Sequence, residues 1–263
     1  MTASAAIVTA PAPAPRLPLR THVAMLLRLL AIQGAWNYET FLGNGIAFAM
    51  EPALRRLPGG PRGEAFKAAI ARQSGYFNAH PYLAAIAVGA LARAELDGEP
   101  SERIERFRTA LAGPLGSLGD RLVWAAWLPF CSLLALLAFG LGAGTGTVLA
   151  LFLGIYNAGH LWVRSWGLRT GWSYGLRVAT ALGTPLLRRG IPVIGRAAAF
   201  TAGAAFPLVL MRIIGPGRRL IEGVLVAAIL GTLLLVRLHG RIDGWRLALI
   251  VLGVFALVAV MRR

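Results

Sequence analysis

Between Arg121 and Arg164 the chain carries no acidic or basic side chain apart from one histidine, His160. Two apolar runs fill that interval, residues 122–142 and 145–163, joined by the glycine-rich turn Gly140-Leu-Gly-Ala-Gly-Thr-Gly146. Each is long enough to cross a hydrocarbon core of about 30 Å as a helix, and neither contains an acidic residue, a lysine or an arginine. This feature sets the solvent of the chain before anything else is read, and the solvent is a bilayer. The fold class that follows is an all-α integral membrane protein.

Bulk composition agrees. Hydrophobic residues make up 57% and charged residues 14% of the 263 positions, with a mean hydropathy of +0.64. A soluble domain carries about 25% charged residues. The net charge of +16 and the pI near 11.7 raise the question of nucleic acid. Lys67 is the single lysine, however, and the arginines stand between apolar runs, as Arg164 and Arg169, Arg188 and Arg189, and Arg218 and Arg219 do. Cations at span ends fix topology and reach the headgroups, so no nucleic-acid partner is expected. Cys131, the lone cysteine, lies in an apolar run and reads as a small buried hydrophobe.

Residues 1–17 form an Ala/Pro-rich segment that lacks a basic start and an unbroken apolar stretch, so it reads as a disordered tail and not a signal peptide. Residues 18–112 form an N-terminal region of amphipathic or re-entrant helices, and 113–263 a polytopic membrane region. Within the first, residues 20–58 read as one long helical pattern ended by Leu57-Pro-Gly-Gly-Pro61. Within the second, shorter runs at 197–211, 220–236 and 247–261 bring the expectation to about four to six membrane segments. Basic residues at 237–246 and 262–263 flank one span, so the positive-inside rule leaves the orientation open.

Isolated polar groups are the most informative positions. Glu39 is the only charge between Arg28 and Glu51, His80 beside Asn78 interrupts the uncharged stretch 74–92, and Asp120 with Arg121 stands alone between Arg108 and Arg164. A charge at membrane depth costs about 2.5–3.5 kcal/mol on insertion scales, so it persists where it meets a partner, a cavity or a substrate. Gln33, Asn37, Thr40 and Asn44 recur at helical spacing and predict a polar stripe on one face. Trp36 and Tyr38 beside them offer aromatic surface. Gly113-Pro-Leu-Gly-Ser-Leu-Gly-Asp120 predicts a broken helix or re-entrant turn just before a span. No nucleophile elbow, Walker loop or metal-spaced His/Cys cluster occurs, so neither catalysis by this chain, nor a metal, nor a cofactor is expected.

Four ordered blocks carry a resemblance. Gly34-Ala-Trp-Asn-Tyr-Glu39, with Gly45-Ile-Ala-Phe-Ala-Met50 and Pro52-Ala-Leu-Arg-Arg56 behind it, resembles the opening of IID subunits of mannose-family sugar phosphotransferase permeases. Tyr76-Phe-Asn-Ala-His-Pro-Tyr82 resembles that family's Phe-Phe-Asn-Thr-His/Gln-Pro-Tyr/Phe. Gly113 to Asp120, with Trp124 and Pro129 beyond, and Asn157 to Gly175 resemble two further blocks. The resemblance covers residues about 20–180, and the part beyond is diverged or shortened.

The resemblance implies a multi-pass protein of the bacterial inner membrane that pairs with a IIC subunit, the heterodimers assembling as trimers. It implies a hexose cargo phosphorylated by phospho-IIB, itself charged through IIA, and no phosphoryl group on the IID chain. Trp36, Asn37, Glu39, Asn78, His80 and Asp120 are the positions it singles out as substrate-binding or IIC-facing. Two departures from the family pattern, Thr40 and Arg121, together with the shortened C-terminal part, open an alternative: a diverged IID with a regulatory role in place of transport.

Overall fold

The computed structural model describes residues 17–183 and 185–215, with single positions at 217, 223, 226 and 230. Its regular structure is helical. Four helices come first: α1 (Leu19–Leu30), α2 (Gly43–Leu54), α3 (Glu64–Ser74) and α4 (Ala84–Leu96). Helices α1 and α2 form a hairpin, and α3 and α4 both pack against α2. Arg28 of α1 donates to the Phe48 carbonyl at 3.0 Å and to Glu51 at 2.6 Å, so α2 folds back along α1. The expected turn at 57–61 is present, with Gly59 at φ 80° and Gly60 at φ 60°, a conformation that favours glycine.

Three longer rods follow. Helix α5 (Ser101–Gly119), a π-helical segment (Asp120–Trp127) and α6 (Leu128–Gly140) join end to end. Helix α7 (Thr145–Tyr174) returns, and after the short α8 (Ala179–Leu182) comes α9 (Pro185–Ile214). By length and composition Ser101–Gly140, Thr145–Arg177 and Arg189–Ile213 can each cross a membrane, three candidate spans among the described residues. The apolar runs 220–236 and 247–261 lie outside the described residues. The run 197–211, short on its own, is the middle of the longer α9.

Helix α4 lies along the second half of α7, running in the same direction: Pro81 meets Arg164, Ile86 meets Gly167 and Gly171, and Arg93 approaches Gly175. Gly89 and Gly171 make this close approach possible. A Cβ on Gly89 would sit 2.3 Å from the Leu168 carbonyl oxygen, and one on Gly171 2.0 Å from that of Ile86.

These contacts divide the molecule. The uncharged part of α7, residues 145–163, rises about 28 Å at 1.5 Å per residue, close to the hydrocarbon thickness of about 30 Å. It lies beside the uncharged rod 122–140, with Gly159 against the Trp127 ring, and α9 lies beside α6, with Gly140 against Leu208 and Val209. This slab leaves Leu149, Leu153, Leu161, Phe200 and Phe206 exposed. One edge is marked by Asp120, Arg121 and Arg164, and by Trp124, Trp127, Trp162 and Trp166, the residue types that sit at headgroup level. At the other edge Arg212 donates to the carbonyls of Phe139 and Ala143. Beyond the tryptophan edge, α1–α4, α5 and the end of α7 form a helical body. Its core contains Leu29, Ile32, Ile46, Met50, Phe77, Leu83, Ile86, Leu91 and Ile104, all fully buried.

Two expectations are corrected. Residues 20–58 are not one helix, because α1 stops at Leu30 and α2 starts at Gly43. The helix expected to break near 113–120 stays helical through Gly119, with Pro114 inside it, and the irregularity falls just downstream as the π segment. Of the three glycines there only Gly119 is required by packing: a Cβ on it would lie 2.1 Å from the His80 Cβ, whereas one on Gly116 would make ordinary contact and one on Gly113 none within 4 Å.

Candidate functional site

The tip of the first hairpin, residues 31–42, is built around Asn37. Its Oδ1 accepts from the backbone N–H of Glu39 and of Thr40, both at 2.9 Å, and its Nδ2 donates to the Thr40 hydroxyl at 2.9 Å. Asn44 also donates to that hydroxyl, at 3.3 Å. Side chains that bond nearby backbone in this way compete with the helix, which is why the amide stripe at helical spacing becomes a turn. Phe41 follows at φ 52°, a strained conformation for an aromatic residue. Its ring is held edge-on between Trp36 (5.6 Å) and Tyr76 (5.2 Å).

The Tyr76 contact belongs to the second tip, residues 75–83. The two tips are joined through the backbone, since Leu42 N–H donates to Phe77 O and Phe77 N–H to Thr40 O, each at 3.0 Å. Two buried arginines hold them. Arg164 of α7 donates to Leu29 O at 2.6 Å and Pro81 O at 3.1 Å, with its guanidinium 4.5 Å above the Tyr82 ring. Arg108 of α5 donates to the carbonyls of Gln73 (3.1 Å), Gly75 (2.5 Å) and Tyr76 (2.7 Å). Each arginine thus caps the C-terminal end of a helix, α1 or α3, where carbonyls lack an intrahelical partner and the dipole is negative. Neither forms an ion pair with a carboxylate among the described residues.

His80 sits where the second tip meets the rod. Gly119 gives it room: a Cβ there would lie 2.1 Å from the His80 Cβ. The imidazole packs against Tyr82 at 5.1 Å and Trp124 of the π segment at 5.3 Å. Tyr82 in turn shares a 2.7 Å hydrogen bond with the Tyr156 hydroxyl and meets the His160 ring at 4.8 Å. Burial lowers the His80 pKa to about 4; nearby Asp120 pulls it up, and Arg164 pushes it further down. The ring is neutral at pH 7. Its Nδ1 accepts from the Tyr82 N–H at 3.2 Å, so the proton resides on Nε2, which is buried and has no partner among the described residues.

The six positions singled out in the sequence therefore lie along one connected surface at the edge of the slab. Trp36, Glu39, Asn78 and Asp120 are exposed, Asn37 is half-buried within its own turn, and His80 is buried beneath. Their surface is open. A cavity of about 180 Å³ lies at the far end of the body among Arg93, Asp97, Glu99, Arg103 and Arg177, and an apolar one of about 270 Å³ at Ala31, Gly34, Ala35, Gly45 and Phe48. None of the six lines either one. No group of three or more metal-ligating side chains occurs among the described residues. Sequence reasoning missed Arg108 and Arg164, because a cation at the end of an uncharged run reads as a span anchor. Tyr82 and His160 were visible only as members of motif blocks, and Tyr156 stands just before the last of them.

Three helices long and apolar enough to cross a membrane, a helical body on one side of them, and polar tips at their edge define a helical membrane protein. Residues 16–203 match the family model of the PTS system mannose/fructose/sorbose family IID component. The chain is 31% identical over 210 residues to the PTS system mannose-specific EIID component of Escherichia coli K12, covering 72% of this chain and 70% of that one. It is 32% identical over 184 residues to the sorbose-specific EIID component of Klebsiella pneumoniae, covering 66% and 65%. Its fold resembles a chain of the cryo-EM structure of the mannose transporter ManYZ with microcin E492 (MceA), with a TM-score of 0.57 and 21% identity over 93% of this chain and 97% of that one. This chain belongs to the mannose/fructose/sorbose IID family, whose members are membrane subunits of the phosphotransferase system.

Proposed function

We propose that this chain is the IID half of a sugar permease: with a IIC subunit it moves a hexose across the bacterial inner membrane, and phospho-IIB phosphorylates the sugar on the cytoplasmic side. The observation that carries the reading is the convergence of the four motif blocks on the two joined tips, at the slab edge, under the arginines of two spanning rods. Non-helical backbone at that depth is tolerated where it is packed in protein or lines a polar path. Exposed Asn78, Glu39 and Asp120 offer hydrogen-bond partners for a neutral polyhydroxyl ligand or for IIC, and Asn37 and His80 support the backbone beneath them. Trimers of the IIC–IID pair belong to the same proposal.

Charge supports an orientation. The body carries Arg55, Arg56, Arg62 and Lys67 at the α2–α3 turn, Arg103 and Arg106 at the start of α5, and Arg177 beyond α7, whereas the α6–α7 turn has none. By the positive-inside rule the body faces the cytoplasm, the side where IIB works. Thr40 fits the Asn37 turn, and Arg121 is exposed with its Nε donating to Ser117 O at 3.4 Å. Neither departure favours a regulatory role.

The test is phosphoenolpyruvate-dependent hexose phosphorylation in membranes containing this chain with IIA, IIB and IIC. Activity that requires the chain, and falls at least tenfold in Asp120→Ala and Asn37→Ala with both variants still inserted, is expected. Activity without the chain, or unchanged in both variants, would refute the reading. A cysteine at Gly98 should be labelled from the cytoplasmic side and one at Gly142 from the opposite side.

A further inference from the structure

Buried polar atoms without a partner are not spread evenly over the molecule. Among the described residues seven buried side-chain nitrogen or oxygen atoms make no hydrogen bond, and four of them belong to three residues around one ring. These four are His80 Nε2, both ring nitrogens of His160, and Arg164 Nε. The ring is that of Tyr82, which the two imidazoles approach at 5.1 and 4.8 Å and the guanidinium at 4.5 Å. The Tyr82 hydroxyl continues the polar string to the Tyr156 hydroxyl at 2.7 Å. Tyr156 precedes Arg164 by eight residues on α7, so the string reaches about 12 Å into the uncharged slab at 1.5 Å per residue. Phe152 stacks on Tyr156 at 5.7 Å and closes the deep end. Along the side, Trp124 meets His80 at 5.3 Å and Trp127 donates to the Tyr156 carbonyl at 3.4 Å.

A buried polar group without a partner costs its full desolvation, and folded proteins answer such groups with protein atoms, ions or ordered water. The chemistry selects among these. A neutral imidazole offers one N–H and one bare nitrogen, so the two histidines and Arg164 need donors and acceptors in the same place. An acyl chain supplies neither. A metal ion would face the Arg164 charge, and an unprotonated anion cannot donate to the bare nitrogen of His160. Water does both, and it settles in buried places where two to four polar partners converge. We propose that His80, Tyr82, Tyr156, His160 and Arg164 line a water-holding seam that runs from the tips into the slab along α7. Its use rests on the permease reading, for which a wet wall inside the slab lowers the cost of moving a polyhydroxyl cargo past it.

The experiment is hydroxyl-radical footprinting of the full chain in its native membranes, without sugar, by a short X-ray pulse. Radicals formed from water oxidise the side chains beside that water, which mass spectrometry then reads. His80 is 2% exposed, and Met25 and Met50 are fully buried in the apolar core, so without internal water all three stay silent. After correction for intrinsic reactivity, His80 should be oxidised about tenfold faster than either methionine. His160→Phe keeps a ring and removes both nitrogens, and it should lower the His80 rate about threefold by drying the seam. A circular dichroism spectrum like that of the wild type shows the variant to be folded, and the wild-type rates decide on their own where it is not. A His80 rate as low as that of the methionines would overturn the proposal. So would a folded His160→Phe chain with an undiminished His80 rate, which would confine the water to His80. Oxidised His80 in a chain that supports no hexose phosphorylation would count against the permease reading and leave the seam standing.

Discussion

The body and the slab use arginine in opposite ways. In the body Arg164 and Arg108 are buried, 2% and 7% exposed, and are spent on backbone carbonyls of the two tips. At the far edge of the slab Arg212 is exposed and covers the end of α6 from outside. The body buries a continuous apolar core and pairs most of its carboxylates, while α1 keeps Leu19, Leu27 and Leu30 on its surface. The slab leaves leucine and phenylalanine on its surface because its solvent is apolar. The two arginines stand where these regimes meet, and they join the tips at 31–42 and 75–83 to the long apolar helices.

That contrast breaks most directly at Arg164. Arg164→Met leaves the Pro81 carbonyl without a donor and the Leu29 carbonyl with only the backbone N–H groups of Ala31 and Ile32, so a loss of about 2 kcal/mol is expected in thermal unfolding of the detergent-solubilised chain. Arg164→Lys can reach one carbonyl as a point donor and should recover about half. A midpoint unchanged in Arg164→Met would show that the tips are held by apolar packing alone. The second test compares the surfaces. Leu153, 53% exposed near the middle of the uncharged part of α7, and Leu27, 61% exposed on α1, look alike by exposure. Leu153→Arg should cost about 2.5–3.5 kcal/mol of insertion, read as lost membrane-integrated protein, and Leu27→Arg should leave insertion unchanged. Equal tolerance at both positions would erase the boundary between slab and body.

The pH dependence of stability sharpens the junction itself. His80 has its pKa lowered from 6.5 to about 4. The unfolded chain therefore binds this proton below pH 6.5, while the folded one binds it only near pH 4. Stability contributed by neutral His80 is full above about pH 6.5 and is lost as the pH falls towards 4, by about 3 kcal/mol in total. Unfolding midpoints measured from pH 7 to pH 4 should fall, and His80→Gln should flatten the dependence.

Much of this was legible in the sequence, for physical reasons. The uncharged interval between Arg121 and Arg164 gives two rods directly, because hydrocarbon length and absence of charge are one-dimensional properties. The conformation of 31–42 was not legible: Gln33, Asn37, Thr40 and Asn44 have helical spacing, and only the bonds of Asn37 to the following N–H groups show that the helix has ended. Pro114 and its glycines have the composition of a break, yet Gly119 is needed for the approach of His80 from a loop some forty residues away in sequence. Arg164 carries no sequence sign of its role, since its partners are carbonyls, which every residue has.

The smallest expected effect tests that misread turn. Asn37 fills its hydrogen bonds within residues 35–40, as a helix-stopping side chain does. Asn37→Ala should cost about 1 kcal/mol of stability, the usual value for one local side-chain cap, and it should loosen the tip, because Phe41 at φ 52° is held there by the turn and its ring neighbours. Asn37→Asp keeps Oδ1 as an acceptor for the two N–H groups but loses the donor to Thr40, so it should retain most of the stability. The Trp36 signal, taken as the difference from a Trp36→Phe chain because six other tryptophans are present, reports the tip during thermal unfolding, and circular dichroism reports the helices. If the turn is a locally built support for Glu39, the fluorescence transition of Asn37→Ala moves ahead of the helical one. If both move together by the same amount, the tip and the body unfold as one unit, and the hold of Arg164 on α1 reaches through the whole first hairpin.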